Sequence, residues 1–177
     1  FIGNGYVTPY KYNGVAFTRH GVPAASVSGF TGAVSGGGLL SAAPYYYKVA
    51  FVNSAAAIGN VSTATTGFAV STATGTVNLT GIPVAPQSHG VGSRRIYQSV
   101  TSTAGFSLIA TLNDNTTTVY AVSGSETPST AAPSDNGEPP TYSVICTHQN
   151  RVFCNDAANP NYVWYSELYE PYTFGSL

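Results

Sequence analysis

Charge is what this sequence has least of. Asp, Glu, Lys and Arg make up 7% of its 177 residues, against roughly a quarter in ordinary soluble domains. Six basic and seven acidic side chains form no stripe that could follow a phosphate backbone, which argues against a specific nucleic-acid site. No run approaches eighteen apolar residues, so no membrane span is expected. Nor does the start show the charged and then apolar pattern of a signal peptide. Methionine is absent, and "FIGNGYV" at the start reads as mid-strand. The chain is therefore expected to be a processed product or a piece of a longer one.

Strong helix formers such as Glu, Lys and Arg are scarce, which removes most of the local drive toward helix. What is present instead is 43% hydrophobic residues, with 13 Tyr and 8 Phe. That content argues for a packed core rather than disorder. Thr, Ser, Val, Tyr and Gly dominate, and they suit strands joined by tight turns. The expected fold class is all-β, with no helix longer than about two turns.

Along the chain, "VTPYKY" and "VAFTR" flank Asn13-Gly14, the dipeptide that best accepts a two-residue type I′ hairpin turn. "SGFTGAVSGGG" reads as a loop or an irregular edge strand. In "PYYYKVAFVN", Tyr45, Tyr47, Val49 and Phe51 share one face at period two. Short strands follow at the spacing of a sandwich: "GFAVSTA", "TVNLTGI", "RRIYQSV", "FSLIATL" and "TTTVYAV". Residues 123–140 are rich in Pro, Ser and Asp and read as a linker. "YSVICTHQNRVFCND" reads as a hairpin turning at Gln149-Asn150, and "YVWYSEL" as a further strand. Two hairpin-bearing ends thus flank one β-block, which suggests an insertion. The expected division is a hairpin over 1–23, a sandwich with its linker over 24–140, and strands over 141–177. The two ends are expected to lie together.

The middle of the chain resembles a fibronectin type III domain. "TVNLTGIPV", "SRRIYQSV" and "FSLIATLNDNTTTVYAVSG" look like strands A or B, C, C′ and E of that family. "YYYKVAFVNSAAAIGNVS" looks like its F–G hairpin but comes first, which would make the block a circularly permuted version. A generic immunoglobulin-like sandwich is the plainer reading. The ends resemble virion proteins of tailed bacteriophages. The pattern there is an "NG…PYRYDG" hairpin, an Ig-like insertion containing "RRIYR" and "IADNTTTTY", and then "HxNRLF…NPNRVYYSE…EPxxF". The matching stretches here are Asn4–Gly14, Arg94–Gln98, Leu112–Tyr120 and His148–Phe174. Gln98 departs from the usual Arg, and Cys146 and Cys154 replace ordinary strand hydrophobes. In that family the flanking strands belong to β-propeller-like blades of tail-tube or nozzle proteins, so residues 141–177 would be a truncated part of a propeller.

The resemblance implies a non-enzymatic structural component of a virion tail or neck, assembled in the host cytoplasm. Its partners would be copies of itself in a cyclic homo-oligomer and other tail or neck proteins. A carbohydrate-binding or adhesive module, with rings stacking on a host-surface glycan, is the alternative. The densest aromatic stretch, Asn159–Phe174, holds Tyr162, Trp164, Tyr165, Tyr169, Tyr172 and Phe174. Exposed rings of this kind mark contact surfaces, and Tyr169, Tyr172 and Phe174 are the candidate protein–protein contact.

No cofactor, metal or catalytic residue is expected. Cys146, His148, Cys154 and Asp156 form C-x-H-x5-C-x-D across a hairpin, where four ligand types could converge. The short Cys-x2–4-Cys knuckle of structural zinc sites is missing, however. A Cys146–Cys154 disulfide is conceivable, but thiols in a bacterial cytosol stay reduced. His20, His89 and His148 sit beside Gly or turn residues with no patterned nucleophile. Glu167 and Glu170 bracket "LY" like a glycosidase pair, although neighbouring acids on a strand end usually sit in solvent. The sequons at Asn60, Asn78 and Asn115 matter only in a secretory pathway.

Overall fold

Alternation at period two builds the centre of the molecule. In strand β4 (Ala43–Asn53), Tyr45, Tyr47, Val49 and Phe51 turn the same way and all four are buried. Each such burial contributes roughly 1.5–3 kcal/mol. The start of β4 pairs antiparallel with β5 (Phe68–Val70) on one side, and β4 pairs with β7 (Val91–Ser99) on the other. β7 in turn pairs with β8 (Ser107–Leu112), so the sheet order is β5-β4-β7-β8. The computed structural model describes residues 1–12, 14–71 and 74–174.

A second antiparallel sheet has the order β3-β6-β9, from β3 (Thr31–Leu40), β6 (Gly75–Thr80) and β9 (Val119–Val122). Leu40, Val77, Leu79 and Val122 of this sheet pack with Tyr47, Val49, Ile96 and Ile109 of the first in one core. The block is a β-sandwich-like arrangement of open sheets. "SGFTGAVSGGG" is an edge strand in it, with its register broken between Gly36 and Leu40. Among the described residues the only helical element is a 3₁₀ turn at Gln87–His89, and no helix is long and apolar enough to cross a membrane.

The ends form smaller sheets. β1 (Tyr10–Tyr12) pairs with β2 (Phe17–Arg19). The expected two-residue turn here is corrected: Tyr12 lies opposite Phe17, so the connection is four residues, 13–16. Asn13 itself lies outside the described residues. The shift by two keeps every side chain on its face, and it sets Tyr12 against Phe17 with ring centroids 4.7 Å apart. Such cross-strand aromatic pairs contribute roughly 0.2–1 kcal/mol. At the other end β10 (Ile145–His148), β11 (Arg151–Asn155), β12 (Val163–Glu167) and β13 (Glu170–Phe174) form a sheet in chain order. Gln149 and Asn150, with φ of 45° and 62°, make the tight two-residue turn expected there. The chain then reverses at Leu168-Tyr169, and Glu170 already belongs to β13.

The ends do lie together. The amide of Gly5 donates to the Tyr142 carbonyl at 2.9 Å, and Arg19 pairs with Glu138 at 2.7 Å. Residues 123–140 run tightly along the sandwich. Leu108 exchanges backbone hydrogen bonds with Ser129 and Thr130, and Ala132 donates to Phe106, so the segment extends the β8 edge. Farther on, Gly137 and Phe174 exchange two backbone bonds of 2.8 and 2.9 Å, which stitches the linker to β13.

Candidate functional site

Several polar residues of the matched stretches are used by the fold itself. Arg94 is fully buried, and its guanidinium donates to the Asp114 carboxylate at 2.8 Å and to the carbonyls of Asp114 and Pro83. Burial lowers its pKa, and Asp114 opposes that shift. The hydroxyl and amide of Thr117 and the amide of Thr116, with Arg94 adding to them, hold the Asp114 carboxyl far below the usual carboxylate range. Asn115 bonds both the amide and the carbonyl of Ala85. "RRIYQ" and "NDNTTT" therefore clasp β7, β8 and the loop at Pro83–Ala85.

The C-terminal motif does the same. Arg151 donates to the Ser166 carbonyl at 2.6 Å, while the Ser166 hydroxyl accepts from the Val152 amide and donates to the Glu167 carbonyl. "NRVF" and "WYSE" thus lock β11 to β12. Asp156 caps the turn that follows β11, accepting from the amides of Ala158 and Asn159.

Register decides the Cys/His/Asp constellation. Cys146 lies opposite Phe153, and Ile145 lies opposite Cys154. Directly opposed residues share a face, so Cys146 and His148 are on one face and Cys154 and Asp156 on the other. The four ligand types do not converge, and neither a metal nor a Cys146–Cys154 bridge can form across that hairpin. Both thiols are free; Cys146 is exposed and Cys154 buried, with burial pushing the Cys154 thiol up to about 12. Glu167 and Glu170 are exposed and directly opposed at the β12–β13 turn. His89 is only half-buried beside Arg19, and His148 is exposed.

The candidate contact residues separate. Tyr169 is 70% exposed at the turn tip, Tyr172 is half-buried, and Phe174 is fully buried. Phe174 packs with Tyr142, Val152 and Cys154 and has no surface to offer. Of the other rings in that stretch, Tyr162 and Tyr165 are exposed and Trp164 leans on the Phe174 cluster. The outer face of the sheet bears Val163, Tyr165, Phe153 and the exposed Cys146 and His148.

His20 is the residue that sequence reasoning passed over. It is fully buried where the two ends meet. Gly21, at φ +97°, reverses the chain beside it, and a Cβ there would stand 2.7 Å from Pro139. One imidazole nitrogen, Nε2, lies 2.7 Å from the Pro171 carbonyl and therefore carries the proton. Nδ1 of the neutral ring then accepts from the Tyr142 hydroxyl at 2.9 Å. Phe1 stacks on the ring at 4.2 Å, and Tyr142, Tyr172 and Phe174 meet it edge-on. Burial, with Lys11 nearby adding to it, lowers the His20 pKa to about 4. No pattern in the sequence marks this role, since its partners stand 122 and 151 residues away.

Beside this tie, Phe1, Lys11, Tyr12, Thr18, Tyr172 and the turn at Ser54-Ala55 line a cavity of ≈ 330 Å³. The chain matches no family model, no curated protein and no solved structure.

Proposed function

We propose that the chain is a non-enzymatic structural component of a bacteriophage virion, part of a tail or neck assembly of the nozzle kind, in which copies of it form a ring. The observation that carries this reading is the order and spacing of the four stretches that resemble such proteins. Their residues are spent on strand-to-strand clasps, as a scaffold requires: Arg94 on Asp114 and Arg151 on Ser166. The scarcity of charge points the same way, because little electrostatic repulsion keeps copies apart. So do the exposed rings of the ends, Tyr12, Phe17, Tyr165 and Tyr169.

The finer fold reading is an immunoglobulin or fibronectin type III-like sandwich set between parts of a β-propeller. What supports it is strand order: β5-β4-β7-β8 is the order that strands G, F, C and C′ would take, and β6 pairs with β9 as B pairs with E. The F–G hairpin then precedes strand B in the chain, which is the permuted arrangement. The closeness of the two ends supports an insertion.

Light scattering on the full-length protein tests the assembly reading. A concentration-dependent ring is expected, weakened by Tyr165→Ala with Tyr169→Ala while circular dichroism stays unchanged. A protein that remains monomeric at high concentration overturns it.

A further inference from the structure

The sandwich covers its apolar strand faces by setting one sheet on another, whereas the outer face of the C-terminal sheet stands largely in solvent. Cys146, Phe153 and Tyr165 form a row across that face, because each lies directly opposite the next. Phe153 and Tyr165 pack with ring centroids 6.1 Å apart, and Val163 extends the apolar surface along β12. Tyr165 remains 47% exposed and Val163 61%. Exposed apolar surface of this kind marks a contact.

A second row crosses the same face nearer the hairpin turns, and it is divided by charge. His148 stands opposite Arg151. The Arg151 guanidinium lies 5.3 Å from the centroid of the Tyr165 ring, which keeps it on the outer face. Ser166 is buried, so Glu167, the next residue of β12, turns outward, and Glu170 stands opposite it. The Tyr169 amide donates to the Asn150 carbonyl at 2.9 Å, which sets the two hairpin turns side by side. The row therefore runs His148, Arg151, Glu167, Glu170, with the basic side chains on β10 and β11 and the carboxylates on β12 and β13. Charged residues are only 7% of the chain, yet here they are sorted by sign onto opposite halves of one face.

A face divided in this way is complementary to itself. A two-fold axis parallel to the strands, lying over the line between β11 and β12, exchanges β10 with β13 and β11 with β12. Two sheets facing each other at the usual separation of about 10 Å then place Arg151 over Glu167 of the second copy and His148 over its Glu170. Phe153 of each copy meets Tyr165 of the other, and every contact occurs twice. We propose that this face is a two-fold interface between copies of the chain, in which the second copy supplies the layer that the sandwich supplies for itself. The proposal goes beyond ring assembly and does not rest on it. A two-fold contact closes on itself, so it joins two chains or two rings and extends neither.

Analytical sedimentation of the full chain over a range of concentrations is the test. A monomer–dimer step is expected. Glu167→Lys, which sets a lysine against Arg151 of the other copy, is expected to weaken it about tenfold to a hundredfold. Arg151→Glu is expected to do the same, and an equimolar mixture of the two variants to restore pairing, because each new lysine then faces a new glutamate. Arg151 also holds the Ser166 carbonyl, so Trp164 fluorescence checks the folding of that variant. One readout needs no substitution: Cys146 lies within the face, and its reaction with a bulky thiol reagent is expected to slow as the dimer forms. A chain that forms no dimer, a dimer that tolerates Glu167→Lys, or a Cys146 that reacts equally fast in the dimer overturns the proposal. A dimer sensitive to Glu167→Lys with no larger ring supports it and counts against the ring alone.

Discussion

In the sandwich, β4 sends Tyr47, Val49 and Phe51 into a core to which all seven of its strands contribute. In the paired ends, the core among the described residues is only Tyr142, Val152, Cys154 and Phe174, with Ile145 and Trp164 leaning on it, and β1 and β2 contribute nothing to it. The ends are tied by polar and aromatic contacts instead, with His20 at their centre and Arg19–Glu138 outside it. Both regions use the same kinds of strand. They differ in how much apolar area a second layer covers: the sandwich has two sheets facing each other, whereas β10–β13 has one face packed and the other open. A region held by burial and a region held by a few directed contacts should respond to different perturbations.

The largest expected effect is in the sandwich. Tyr47 lies in the sandwich core and shows no accessible surface. Tyr47→Ala is expected to cost about 3–5 kcal/mol, as for other large-to-small core substitutions. Chemical denaturation followed by far-ultraviolet circular dichroism measures it; a loss below about 1 kcal/mol would refute a single sandwich core.

Acid should act on the ends first. Folding lowers the His20 pKa from 6.5 to about 4, so the unfolded state binds the extra proton between those values. The contribution is fully present above pH 6.5, declines as pH falls, and is lost below the folded value, an effect of about 3 kcal/mol. Trp164, the chain's only tryptophan, sits in the C-terminal sheet, so its fluorescence reports the ends specifically. Its signal is expected to change between pH 6 and 4 before circular dichroism does. His20→Gln should flatten that pH dependence, and an unchanged profile in the variant would assign it elsewhere.

Thiol chemistry separates the two faces of the C-terminal hairpin. Cys146 is expected to react with a thiol reagent in the folded protein, and Cys154 only after unfolding. Cys154→Ser should cost about 1–2 kcal/mol for a hydroxyl in an apolar cluster, and Cys146→Ser close to nothing. Added zinc should move no transition, since the candidate ligands lie on opposite faces. A zinc-dependent rise in stability that disappears in Cys154→Ser would contradict that register.

The smallest effect is at the turn. Glu167 and Glu170 oppose each other across β12 and β13, and like charges so placed repel. Glu167→Gln is expected to stabilise the hairpin by a few tenths of a kcal/mol, read from the Trp164 transition. A destabilisation would mean that Glu167 makes a contact of its own.

Some of this was legible in the sequence. The strand faces of "YYYKVAFVN" and the turn at Gln149-Asn150 are local signals, carried by period-two alternation and by residues that accept positive φ. The Asn13-Gly14 signal was also local, and it located the hairpin correctly but misjudged the loop length, because cross-strand pairing of Tyr12 with Phe17 set the register. The candidate contact of Tyr169, Tyr172 and Phe174 looked like one patch because the three are close in the chain. Strand reversal at Tyr169 and closure of β13 onto Gly137 sent them to the surface, the junction and the core respectively.

What the sequence alone determined is the class: few helix formers, abundant Thr, Val and Tyr, and alternating runs point to β-sheets as the way to bury the aromatic content. These are properties of neighbours along the chain, and composition expresses them directly. The tertiary structure alone decided which faces Cys146 and Cys154 occupy, that His20 is buried and neutral between Tyr142 and Pro171, and that the Lys11 ammonium lies over the Tyr172 ring. Each depends on which distant strands meet and in what register, and a shift of one residue in that pairing would turn every side chain to the opposite face.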